Sequence, residues 1–266
     1  RLSFYKKNPE MPGGLAGTIT TMILSADDGK LWVGGYGWVD KLDPRTGLAE
    51  HILHDLPKGP ALSVATDRLG RLWFSFDSST LYLYDHGRLT RLGRDRTGIA
   101  QSSYMQSTVD GRLYVASWQH GLYEMDLAAL RGHAVPMHEP SDDARLPNQL
   151  LMVDGELWYV CHAGLMRLGP DRQLAYVQGA PRVSIAAVAL DRDGRGLWLQ
   201  RDGAQLEHYR VLRQRLSLDR RVQAPSSFWA TLGVHNLQVD AAGQLWLFAV
   251  SGLWRFDPAS GRFFAY

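Results

Sequence analysis

Asp67-Arg-Leu-Gly70-Arg-Leu-Trp-Phe74 runs an aspartate–glycine turn directly into a Leu-Trp pair. Its core returns five more times, as Gly29-Lys-Leu-Trp-Val33, Gly111-Arg-Leu-Tyr-Val115, Gly155-Glu-Leu-Trp-Tyr159, Gly194-Arg-Gly-Leu-Trp-Leu199 and Gly243-Gln-Leu-Trp-Leu247. The anchoring leucines, Leu31, Leu72, Leu113, Leu157, Leu197 and Leu245, are spaced by 41, 41, 44, 40 and 48 residues. Strand-rich repeats of about 40–50 residues point to propeller blades and away from helical solenoids.

A second apolar anchor follows each leucine at eight or nine residues: Val39, Leu81, Leu122, Leu165, Leu206 and Leu253. Three residues further on stand Leu42, Tyr84, Met125, Leu168, Tyr209 and Phe256. A gap that varies by one residue while the apolar positions hold is what a short hairpin loop permits. Asp43-Pro44, Asp85, Asp126 and Asp257-Pro258 then turn the chain, proline being unable to donate to a central ladder. Each unit therefore reads as four strands. Strand a precedes the glycine (Thr18–Leu24, Ala61–Ala65, Ser184–Leu190), b carries Leu-Trp, c the second anchor, and d is a short run such as Leu48–Leu53 or Leu174–Val177. The a–b turn glycine should supply a positive φ and its aspartate should close the turn on the backbone. The expected fold is all-β: a β-propeller of four-stranded antiparallel blades with six complete units, closing as a ring of six, or of seven if flanking sequence completes a blade.

Trp32, Trp73, Tyr114, Trp158, Trp198 and Trp246 hold one position in every unit. A residue needed in each blade is a packing residue, so these aromatics are expected to fill the wedges between sheets. Leu206–Leu218 alternates like a strand and lacks helix caps, and no Pro- or Ser-rich linker divides the chain. Residues 1–266 read as one domain.

The chain has 29 basic and 27 acidic residues, 45% hydrophobic residues and one cysteine. The charges are interspersed, with no basic block of the kind that marks a nucleic-acid binder. The densest basic cluster, Arg213, Arg215, Arg220 and Arg221, alternates with Leu212, Leu216 and Leu218 and reads as a solvated strand face. No apolar run is long enough to span a bilayer. Cys161 excludes an intrachain disulfide, and without a further catalytic partner its neighbour His162 leaves a structural thiol as the reading. Asp191-Arg-Asp193-Gly194 lacks the remaining ligands of a calcium loop and reads as a turn.

The run Asp27-Asp28-Gly29-Lys-Leu-Trp-Val-Gly34, followed by Lys41-Leu-Asp-Pro-Arg-Thr-Gly47, resembles the two-component regulator propeller repeat. So does Asp240-Ala-Ala-Gly-Gln-Leu-Trp-Leu, followed by Gly252-Leu-Trp-Arg-Phe-Asp-Pro-Ala-Ser-Gly261. The pattern's strand-c glycine is kept at Gly121, Gly164 and Gly252, but Trp38, Thr80 and Gln205 replace it elsewhere. The resemblance implies the periplasmic sensor domain of a bacterial inner-membrane receptor whose output is a hybrid histidine kinase or a diguanylate cyclase. It also implies an assembly, a homodimer formed through the full-length receptor. Arg1-Leu-Ser-Phe-Tyr5 matches Arg262-Phe-Phe-Ala-Tyr266 in type and phase, so both read as strand d of an array cut from a longer chain.

Function should show in residues that the blades do not share. In the b–c turns these are Tyr36, Trp38, Trp118, His120, His162 and Arg201; in the d–a loops they are Tyr104, Arg182, Phe228, Trp229 and His235. Both sets belong to one face of a propeller. Aromatic rings among hydrogen-bonding groups suit a small amphipathic ligand such as a carbohydrate. The expectation is a non-catalytic module with no cofactor, no metal, no nucleic acid and no membrane contact. The chain holds no Gly-x-Ser-x-Gly elbow, no His-Glu-x-x-His and no phosphate-cradling glycine loop. An enzyme on this scaffold is the alternative: streptogramin lyases resemble the repeat and use polar loop residues with a divalent metal. His120, His162 and His235 would then have to converge with acids, and the b–c turns offer only Asp77 and Asp202. A protein–protein platform is the third reading.

Overall fold

The computed structural model describes residues 13–26, 28–54, 56, 63–77, 80–201, 205–225, 234–249 and 252–266. Its strands form six four-stranded sheets, each an antiparallel meander taken in chain order. Blade 1 comprises Thr20–Ser25, Leu31–Gly35, Val39–Leu42 and Ala49–Leu53 as strands a to d; blade 2 comprises Ser63–Thr66, Leu72–Asp77, Thr80–Asp85 and Arg88–Gly93. Blade 3 is built from Ser102–Ser107, Leu113–Ser117, Gly121–Asp126 and Arg131–Ala134, and blade 4 from Pro147–Val153, Glu156–Cys161, Gly164–Leu168 and Leu174–Tyr176. Ile185–Leu190, Gly196–Arg201, Gln205–Leu212 and Arg215–Gln223 make blade 5; Val234–Val239, Leu245–Ala249, Gly252–Asp257 and Arg262–Ala265 make blade 6. The expected boundaries hold to within two residues wherever the residues are described. The leading strand expected at Arg1–Tyr5 lies outside them.

The chain divides into two compact units, Arg1–Trp118 with Tyr123–Ala134, and Gln119–Leu122 with Val135–Tyr266. In the first unit Trp73 is fully buried with Leu81 and Leu83 against Met105, Leu113 and Met125 of blade 3. Trp32, half-buried, lies beside the cluster of Phe74, Phe76 and Tyr82 in blade 2. In the second unit Trp158 packs with Val188, Leu197 and Tyr209 of blade 5. Trp198 packs with Leu237, Leu245 and Phe256 of blade 6, its ring 5.5 Å from that of Phe256. The repeat aromatic therefore fills the wedge toward the next blade. A tryptophan removing about 200 Å² from water is worth about 5 kcal/mol of transfer free energy, which is why the position repeats.

The a–b turns behave as their composition requires. Gly70 has φ 74° and nothing lies within 4 Å of where a Cβ would stand, so conformation alone selects glycine there. Asp67 Oδ1 accepts from the backbone N–H of Leu69 and Arg71 (2.9 and 3.1 Å). Its Oδ2 accepts from Arg71 Nε (2.7 Å) and from the indole of Trp73 (2.8 Å). Asp240 repeats the arrangement on Ala242, Gln244 and Trp246. Polar ties also join neighbouring blades. Met105 N–H donates to Ser63 Oγ, and the Gln149 amide exchanges two hydrogen bonds with the backbone of Val188.

The long alternating stretch from Gln205 is a hairpin, turning at Arg213 with φ 58°. Two arginines of its basic cluster make contacts from the exposed face. Arg221 Nε donates to the buried carboxylate of Glu207 (2.9 Å), and Arg220 lies over the Trp198 ring (5.1 Å) and donates to the Pro258 carbonyl. All four arginines are exposed, as the solvated reading expects, and Arg220 and Arg221 also lean on a ring and an acid of their own blade.

Candidate functional site

The second unit contains a polar cleft of about 490 Å³ on the side of blade 4 that carries the b–c turn and the d–a loops. Three stretches build it: Ser141 and Asp143 before strand a, His162 and Ala163 in the b–c turn, and Arg182–Ser184 in the loop to blade 5, with Tyr176 of strand d. The approach to strand a is fixed from below. Tyr159, buried in strand b, donates its hydroxyl to the Ala144 carbonyl (2.9 Å), and burial raises its pKa. Ser141 Oγ accepts from Ala144 N–H, the short 3-10 turn Asp143–Arg145 follows, and His162 N–H closes on the Leu146 carbonyl (3.1 Å).

The opposite wall depends on Gly164. Its φ is 128°, and a Cβ there would stand 2.6 Å from the Pro181 carbonyl oxygen, so only glycine lets the following loop lie this close to the turn. Arg182 is thereby brought over the Tyr176 ring (4.1 Å) and into a two-point pair with Glu139 (2.7 and 3.0 Å). That pair lowers the Glu139 pKa and raises that of Arg182. Tyr176 is raised by burial, partly offset by the Arg182 charge and by a hydrogen bond with Ser141. The cleft thus presents a fixed cation on an aromatic face, an imidazole, a carboxylate and two serines.

Two of the sequence candidates, His162 and Arg182, meet here. Arg201, on strand b of blade 5, points to another cluster, 3.8 Å from the fully buried Glu207, which also accepts from Tyr209 (2.9 Å). His120 is exposed in the b–c turn of blade 3. In the first unit Trp38 is buried with Leu15, Val33, Leu42 and Ala49. Its indole fills the space that a side chain at Gly17 or Gly35 would need, so Trp38 packs the turn. Tyr36 and Trp118 are exposed, and Trp118 N–H donates to the Gln101 carbonyl (2.9 Å). Tyr104 is half-buried, which raises its pKa. Phe228 and Trp229 lie outside the described residues, as does the side chain of His235.

Sequence reasoning missed Glu139, Ser141, Asp143 and Tyr176. The first three fall in the 44-residue interval between Leu113 and Leu157, whose extra length was the available signal; Tyr176, on strand d, carried none. Cys161 is fully buried, donates to the Gly164 carbonyl (3.4 Å), and burial pushes its thiol up to about 11. It is protonated at neutral pH and is a structural residue. Among the described residues no group of three or more His, Cys, Asp or Glu side chains is placed to hold a metal ion.

Six four-stranded antiparallel blades make the protein a β-propeller. No protein-family model matches the chain. Nor does any curated protein sequence match it. Among solved structures it is similar to the extracellular domain of a hybrid two component system, BT4673 of B. thetaiotaomicron, at 21% identity and TM-score 0.70 over 89% of this chain. The chain spans 32% of that domain. The extracellular domain of the hybrid two component system BT3049 from the same organism aligns over 99% of this chain and 41% of its own at 14% identity and TM-score 0.59. Virginiamycin B lyase of Staphylococcus aureus aligns over 93% and 83% at 12% identity and TM-score 0.68. These likenesses establish the propeller fold. Among the described residues no helix is long and apolar enough to cross a membrane.

Proposed function

We propose that this propeller is the extracytoplasmic, non-catalytic ligand-sensing domain of a bacterial signal-transduction receptor, and that the blade 4 cleft receives the ligand. The observation carrying the reading is the convergence of unrepeated side chains, Asp143, His162, Tyr176 and Arg182, in a cleft whose walls are set by Gly164 and Tyr159. Convergent polar groups beside an aromatic ring fit a carbohydrate or another small polar ligand, with Arg182 as the fixed hydrogen-bond donor. The likeness to extracellular domains of two hybrid two component systems supports the periplasmic placement. A metal-dependent lyase would need several acids beside His162, and Asp143 is the one carboxylate lining this cleft.

A ligand that binds only the folded state raises the melting temperature. Thermal-shift titration with mono- and oligosaccharides, with and without a chelator, should give stabilisation that survives chelation and disappears in His162→Ala and Arg182→Ala. Stabilisation that needs a divalent metal would overturn the sensor reading in favour of an enzyme.

A further inference from the structure

The outer rim of the first unit carries a second groove, of about 700 Å³, between strand d of blade 2 and the c–d turn of blade 3. Arg88, Arg91 and Arg96 line it, and its apolar part is the half-buried Leu130 above Leu92, which belongs to the buried core. Arg94 and Arg131 flank it, and all five arginines are exposed. Several arginines elsewhere find carboxylates: Arg71 has Asp67, Arg112 has Asp110 and Glu124, Arg182 has Glu139, Arg210 has Asp219 and Arg221 has Glu207. None of the five at this groove is within ion-pair distance of a carboxylate among the described residues, and Asp95 is the groove's one acidic lining residue. In a chain of net charge +2 this is a marked local concentration of positive charge.

We propose that this groove binds an acidic, leucine-bearing segment of a partner protein. Guanidinium forks match carboxylates at two points, and arginine with apolar side chains is the composition enriched at protein interfaces. A recess with the half-buried Leu130 at its edge suits an extended chain that inserts an apolar side chain between its acids, whereas a planar lipid surface would touch only the rim. The occupied groove would pair cations that are unpaired in the free domain, and its affinity would fall with salt.

The test is fluorescence anisotropy of fluorescein-labelled Glu-Leu-Glu-Leu-Glu-Leu-Glu-Leu-amide, with its Gln-Leu counterpart as control. Saturable, salt-sensitive binding of the glutamate peptide alone is expected. The triple variant R88E/R91E/R96E should weaken it about tenfold or more, and R195E/R213E/R215E, reversing as many exposed charges elsewhere, should not. A far-ultraviolet circular dichroism melt checks that the variants fold, and R88Q/R91Q/R96Q, which removes charge without reversing it, should also weaken binding. Equal loss in the two charge-reversal variants, or no binding of the glutamate peptide, overturns the proposal. Arginine-dependent co-sedimentation with phosphatidylglycerol vesicles without peptide binding overturns it in favour of a membrane.

Discussion

Asp67 shows how much of a blade rests on one side chain. Its buried carboxylate accepts from two backbone amides, a guanidinium and an indole. Asp67→Ala leaves the buried Trp73 indole without its acceptor and should cost about 2–4 kcal/mol in chemical denaturation. Asp240→Ala, at a half-exposed copy of the same tie, should cost less. His208 makes a different kind of contact, bridging Asp191 (2.9 Å) and Asp219 (3.0 Å) beside Trp198. Burial lowers its pKa, but the two carboxylates outweigh burial and the net shift is upward. A raised histidine contributes stability that is full below its unfolded value of about 6.5 and is lost as pH rises through the folded one. Melting temperature should therefore fall as pH rises from about 6.5 through the raised folded pKa, and the fall should shrink in His208→Gln. The aspartate, glycine and tryptophan of each turn were legible because they lie within one turn and recur. The His208 bridge was not, because its acids sit 17 and 11 residues away, one in the a–b turn and one on strand d.

At the scale of elements, the b–c turn of blade 4 shows where the repeat stops being informative. Gly164 holds the repeat's strand-c glycine position, yet its consequence is local: it admits the 181–182 backbone and so positions Arg182. Gly164→Ala should cost about 1–3 kcal/mol through its backbone conformation. By displacing Arg182 it should also weaken any ligand that stabilises the native protein, a loss read by thermal-shift titration. His162 and Arg182 were legible as residues the other blades lack. The rest of the cleft was hidden, since Asp143 and Glu139 come from a connection with no counterpart in the other units. Trp38 shows the opposite error of emphasis. It too is unrepeated, but the small residues Gly17 and Gly35 make room for it and it packs.

For the whole molecule, the division between repeated and unrepeated residues separates stability from recognition. The buried repeat aromatics lie between sheets, away from the cleft's lining, so Trp158→Ala should destabilise by about 3–5 kcal/mol. At temperatures where it remains folded, it should still bind ligand. The repeat period made the six-blade architecture readable in advance, because every unit votes for the same strands. Ligand identity has no such redundancy. The most direct measurement is isothermal titration with a carbohydrate that shifts the melting temperature, comparing the native protein, Arg182→Ala and Asp67→Ala. The account predicts that affinity collapses in Arg182→Ala and stays within about twofold of native in Asp67→Ala, despite its lower stability. Undiminished affinity in Arg182→Ala would contradict it.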